Sequence, residues 1–186
     1  MTFARAVAAL AALLTALLLQ ATLIGPATMS VPASLPAVLV GAVAIWTGPA
    51  TGMLLGFVTG LVADLGSEHP AGVLALCWLV LGLTLGRLAN PHRNLISALV
   101  LTACGAAASS LVAGWALAMV HLPETGRHID SLLDPVITFV PAVLGNLVLG
   151  LVVVPATRAA LKTDLLRDRK PPLPSWRPEP PVIRRG

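Results

Sequence analysis

Apolar runs too long for a water-soluble fold of this size occupy most of the chain, at residues 7–24, 35–65, 71–88, 95–120 and 136–156. A hydrocarbon core about 30 Å thick needs roughly 20 helical residues to cross, and the long runs reach that length. Burying them in a soluble interior is excluded by proportion, because 56% of the 186 residues are hydrophobic and only 11% are charged. Alternating strands of about ten residues, the signature of a transmembrane β-barrel, do not occur. The reading is an all-α integral membrane protein. Arg5 before the first run suggests a signal peptide, but the run continues to Ile24 without a small-x-small cleavage site, so a retained first helix is expected.

The number of spans turns on residues 31–65. As one helix this run would be about 50 Å long, well beyond the hydrocarbon core. Trp-Thr-Gly-Pro at 46–49 interrupts it: Pro49 lacks a backbone donor and disfavours helix in the residue before it, while Trp46 suits an interfacial belt. Six spans result, at about 6–24, 31–47, 49–65, 70–88, 94–120 and 134–157, followed by a basic, proline-rich tail over 159–186. With this division eleven of the twelve Lys and Arg residues fall on one face, leaving Arg127 alone on the other. Both ends are then cytoplasmic. GSEHP at 66–70 becomes a short outer turn, and 121–134 becomes the larger outer loop. The tail continues the last helix through Leu161, Leu165 and Leu166 before PPLPSWRPEPP, which reads as disordered or polyproline-like, either a solubilising basic segment or one that docks on a partner or on anionic lipid through its Arg and Lys.

The third span carries the strongest local pattern. Gly48, Gly52, Gly56 and Gly60 recur every fourth residue, and Asp64 follows at the same step. On a helix this is one ridge of bare backbone ending in a carboxylate. Small ridges let helices approach closely in lipid, where association depends on packing contacts. Gly82 and Gly86 in the fourth span, the run from Gly105 to Ser110 in the fifth, and Gly145, Asn146 and Gly150 in the sixth offer complementary surfaces. The ridge therefore serves either internal helix packing or a partner protein. Asp64 reads two ways as well: an anchor hydrogen-bonded to the backbone opening the fourth span, or a functional carboxylate in contact with an ion or partner. Glu68 and His69 in the adjoining turn read as solvated.

Catalytic and metal patterns are absent. There is no HExxH, GxSxG, Walker loop or pair of intramembrane aspartates, and His69, His92, His121 and His128 all fall in or beside loops. Cys77 and Cys104 lie within apolar runs without a CxxC spacing and read as small apolar residues. Gln20 and Asn146 read as interhelical hydrogen-bonding groups. No enzyme, cofactor, metal site or nucleic-acid interface is expected; membrane lipid surrounds the chain, and homo-oligomerisation is left open.

The segments LLLQATLIGPATMS and GFVTGLVADLGSEHPAG, with the intervening Gly-Pro turn, resemble the rod shape-determining membrane protein family MreD. The pattern is carried by Gln20, Pro36, Gly48-Pro49, Gly56-Phe57, Gly60-Leu61, Asp64-Leu65 and Gly72, and covers residues 17–88. Beyond Leu88 only hydrophobicity and length agree, and the tail lies outside the pattern. The resemblance implies a noncatalytic scaffold in the bacterial inner membrane that maintains rod shape, with MreC as partner and, through it, MreB and RodA with its transpeptidase. It implies a compact bundle similar to the six-helix substrate-binding subunits of vitamin transporters, and such a subunit is the alternative function.

Overall fold

A computed structural model describes residues 11–12, 14–24, 33–66, 72–90, 92–125, 137 and 139–162, with side chains described for these except at 23–24 and 118–125. All regular structure among them is helical. In chain order the elements are α1 (residues 14–24, whose last turn, Gln20–Ile24, widens to a π-helix), α2 (Leu35–Thr47), α3 (Pro49–Leu65), α4 (Val73–Arg87), α5 (Leu95–Thr125) and α6 (Phe139–Lys162).

Local chemistry accounts for the boundaries. Helix α2 begins where the Ser34 hydroxyl accepts the N–H of Ala37 at 3.4 Å and Pro36 occupies the first turn. It therefore starts at Leu35, four residues later than expected. It ends at Gly48, whose φ of 99° and ψ of 178° suit only a residue without a side chain, and Pro49 opens α3 at once. Gly72, at φ 105°, plays the corresponding role before α4. Helix α5 runs to Thr125 rather than 120, and α6 runs to Lys162 with Pro155 inside it. That proline lies on the exposed side of α6, where its ring and missing donor disturb no neighbouring helix. Arg5, the turn at 67–70, the loop at 126–136 and the tail beyond 162 lie outside the described residues.

Two helices are long and apolar enough to cross a membrane, α5 over Leu95–Leu117 and α6 over Phe139–Lys162. Helices α2, α3 and α4, with 13, 17 and 15 residues, are apolar but shorter. The two long helices are only 33% and 22% buried over their most apolar windows, unlike the core helix of a soluble protein.

Helix α2 occupies the centre and touches α3, α4, α5 and α6. Pro36, Ala37, Val38, Val40, Gly41, Ala42, Ala44 and Ile45 are all buried, so nearly its whole circumference is covered. The interior is built largely from small residues, among them Ala98, Ala103, Ala106, Ala107 and Ala142, with Thr59, Asp64, Thr102, Ser109 and Asn146 as buried polar groups. Large aliphatic side chains point outward: Leu54 and Leu65 on α3, Ile96 and Val112 on α5, Val140, Val148 and Val152 on α6. Small inside and large apolar outside reverses the arrangement of a water-soluble core.

Candidate functional site

The α3–α4 hairpin forms around its glycines. As the residue number rises by fours along α3 it falls by steps of four and three along α4: Gly52 faces Gly82, Gly56 faces Trp78, and Gly60 faces Ala75. A Cβ on Gly60 would lie 2.6 Å from the nitrogen of Ala75, and one on Gly86 would lie 2.7 Å from that of Pro49. A Cβ on Gly56 would collide with the Trp78 carbonyl, and Gly52 and Gly82 exclude a side chain from each other. The two backbones thus touch over the length of the hairpin. Gly48 differs from its three companions: it sits between helices, its Cα faces open space, and it is required by its backbone conformation. The ridge is buried against α4, within the chain.

Asp64 terminates this contact. Its side chain is 2% exposed and accepts three main-chain hydrogen bonds across the hairpin: Gly72 N–H to Oδ2 at 2.9 Å, Ala75 N–H to Oδ2 at 3.0 Å and Leu74 N–H to Oδ1 at 3.1 Å. These donors belong to the opening turn of α4, where N–H groups have no partner within the helix and the macrodipole is positive. No side chain within α4 performs this role, since its N-cap is Gly72. A carboxylate from another helix caps it instead. Of the two readings of Asp64, the geometry is that of the anchor.

A second polar node gathers at the start of α2. Gln20 Nε2 donates to the Ala33 carbonyl at 3.0 Å, and its Oε1 accepts the Leu35 N–H at 2.8 Å. Asn146 Oδ1 accepts the Ser34 N–H at 2.9 Å. Two side-chain amides, from α1 and α6, therefore grip three consecutive residues. The π-turn begins at Gln20 itself, and such a widening re-aims a side chain. Asn146 is fully buried, and its Nδ2 has no hydrogen-bond partner among the described residues.

At the other end of α2 the guanidinium of Arg158 stacks over Trp46, 4.9 Å from the ring centroid. Trp46 packs partly against the core beneath that arginine, so the expected interfacial ring is also a platform for a cation. Ser34 and Trp46 are twelve residues apart on α2, and their partners Asn146 and Arg158 are twelve apart on α6. The two helices consequently run parallel and are pinned about 18 Å apart along their axes. Neither pairing was visible in the sequence beyond the isolated polarity of the residues concerned.

One open groove of about 380 Å³ lies between α4 and α5, lined by apolar and small side chains including Leu76, Val80, Gly105 and Val112. Among the described residues no three His, Cys, Asp or Glu side chains gather as metal ligands. Cys77 is half-buried beside the groove and Cys104 is exposed on α5, both as free thiols. His92 is exposed, and nothing is described for the side chains of the other three histidines.

No protein family, curated relative or solved structure matches this chain. What defines it is its own geometry: among the described residues, regular structure that is helical throughout, with two helices long and apolar enough to cross a membrane, closed by glycine packing and backbone-directed polar side chains.

Proposed function

We propose that this chain is a six-span protein of the bacterial inner membrane with both ends cytoplasmic, acting as a noncatalytic scaffold for lateral cell-wall elongation. In this reading it is an MreD-like protein that holds MreC and, through it, MreB and RodA with its transpeptidase. The observation that carries the proposal is where its specialised residues are spent. Gly52, Gly56, Gly60, Gly82 and Gly86 bring two backbones together, and Asp64, Gln20 and Asn146 bind main-chain groups at helix ends. What the chain offers to its surroundings is a set of apolar helical faces suited to lipid and to other membrane helices.

The short helices are compatible with this placement. Helix α2 is about 20 Å long, less than the hydrocarbon thickness, but protein surrounds it. Irregular or short segments are tolerated at membrane depth when they are buried in protein. The decisive experiment is affinity purification from detergent extracts together with depletion in cells. MreC should co-purify, and depleted cells should become wider or rounder. Recovery with an ATPase transport module and a bound vitamin, without MreC, would replace this reading by the transporter subunit.

A further inference from the structure

We infer that the Arg158–Trp46 end of the bundle is a binding site for the phosphate of an anionic phospholipid headgroup. The inference rests on the membrane placement proposed above, and is independent of the scaffold role.

The fold concentrates cations here. Trp46 closes α2 just before the Gly48–Pro49 junction, and that junction packs on Gly86, next to Arg87. Arg93 folds back onto the same end, its Nη2 donating to the Leu88 carbonyl at 3.0 Å. Arg158 lies on Trp46, and Lys162 follows one turn later. Asp64 is at the far end of α3, about 22 Å away along the helix. No described carboxylate side chain offsets the charge.

Unanswered donors are the second, independent observation. Among the described residues, Nε1 of Trp46 and Nε of Arg93 are buried and have no acceptor. The Arg158 guanidinium makes no hydrogen bond or ion pair among the described residues and is held over the Trp46 ring, 4.9 Å from its centroid. A cation–π contact uses none of the guanidinium N–H donors, which stay free for a tetrahedral oxyanion. A Trp at the interfacial depth beside guanidinium N–H groups that have no protein acceptor matches a phosphodiester above apolar acyl chains. Simple accumulation of basic residues on the cytoplasmic face would require neither the stack nor the orphaned donors.

The test is native mass spectrometry of detergent-purified protein equilibrated with equal amounts of phosphatidylglycerol and phosphatidylcholine. The wild type should retain phosphatidylglycerol preferentially, and Arg158→Gln should reduce that preference by about tenfold or more, the weight of a lost hydrogen bond to a charged group rather than of surface charge alone. Arg158→Lys should lose most of the preference despite keeping the charge, whereas Lys162→Gln should keep it. If Arg158→Gln fails to fold, Trp46→Phe, which removes the indole N–H and weakens the stack, should show a partial loss. Equal retention of the two lipids by the wild type, or equal effects of Arg158→Gln and Lys162→Gln, would overturn the site. Abolition of the preference by millimolar inorganic phosphate would overturn the lipid assignment in favour of a free anion. A chain recovered without detergent would instead sink the membrane placement.

Discussion

Gly60 and Ala75 touch backbone to backbone, and the nitrogen at the centre of that contact donates its hydrogen to Asp64, one turn beyond Gly60, at 3.0 Å. The glycine and the carboxylate of the GLVAD segment are therefore two parts of one device. Without a side chain at Gly60, α4 comes close enough for a short aspartate to reach its opening turn. A charge in an otherwise apolar stretch is explained by the three donors it satisfies.

Replacing Asp64 by Asn should destabilise the hairpin. Oδ2 accepts from both Gly72 and Ala75 while Oδ1 accepts from Leu74, so either orientation of an amide would set its NH2 against main-chain donors. A loss of about 1–3 kcal/mol is expected from the unsatisfied buried groups. Thermal unfolding in detergent measures it. An unchanged midpoint would show that the carboxylate charge and its acceptor geometry are dispensable.

The glycines should separate into two kinds. Gly56→Leu and Gly60→Leu should lower protein abundance, because a side chain at either site meets backbone atoms that cannot move aside, whereas Val58→Leu should be tolerated. Gly48→Ala should destabilise although its Cβ would meet nothing, since φ 99° with ψ 178° costs an L-residue about 1–3 kcal/mol. Abundance and melting curves of the four variants decide between steric and conformational causes. Normal abundance of the Gly56 and Gly60 variants with loss of function would return the ridge to a partner surface.

Asn146→Leu should loosen the attachment of α6 to α2. It removes the acceptor of the Ser34 N–H, a cost of about 1–3 kcal/mol for a buried donor, partly offset because the unpartnered Nδ2 also disappears. Gln20→Leu removes two bonds to the same segment and should cost more. Because both act on residues 33–35, the double variant should be less destabilised than the two effects added together. Strict additivity would show that the two amides act on independent structures.

Orientation in the membrane is tested by labelling single cysteines in a background where Cys77 and Cys104 are replaced. A cysteine at Gly126 should react with an impermeant reagent in intact cells, and one at Gly186 should react only after lysis. The opposite pattern would invert the proposed topology.

What the sequence by itself determined is what local chemistry dictates. Apolar length demands helices, Pro49 with Gly48 divides residues 35–65, and the four-residue spacing places the glycines and Asp64 on one face. The tertiary structure decided where those faces turn. Helices apolar on every side give little local sign of which side is inward, so only the assembled bundle shows the glycine ridge consumed by α4 and large aliphatic residues left outside. Pairings such as Asn146 with Ser34, 112 residues apart, and Arg158 with Trp46 leave no local periodicity. They exist because two parallel helices share a register, and a helix-to-helix register is set by packing among distant segments rather than by the propensities of either one.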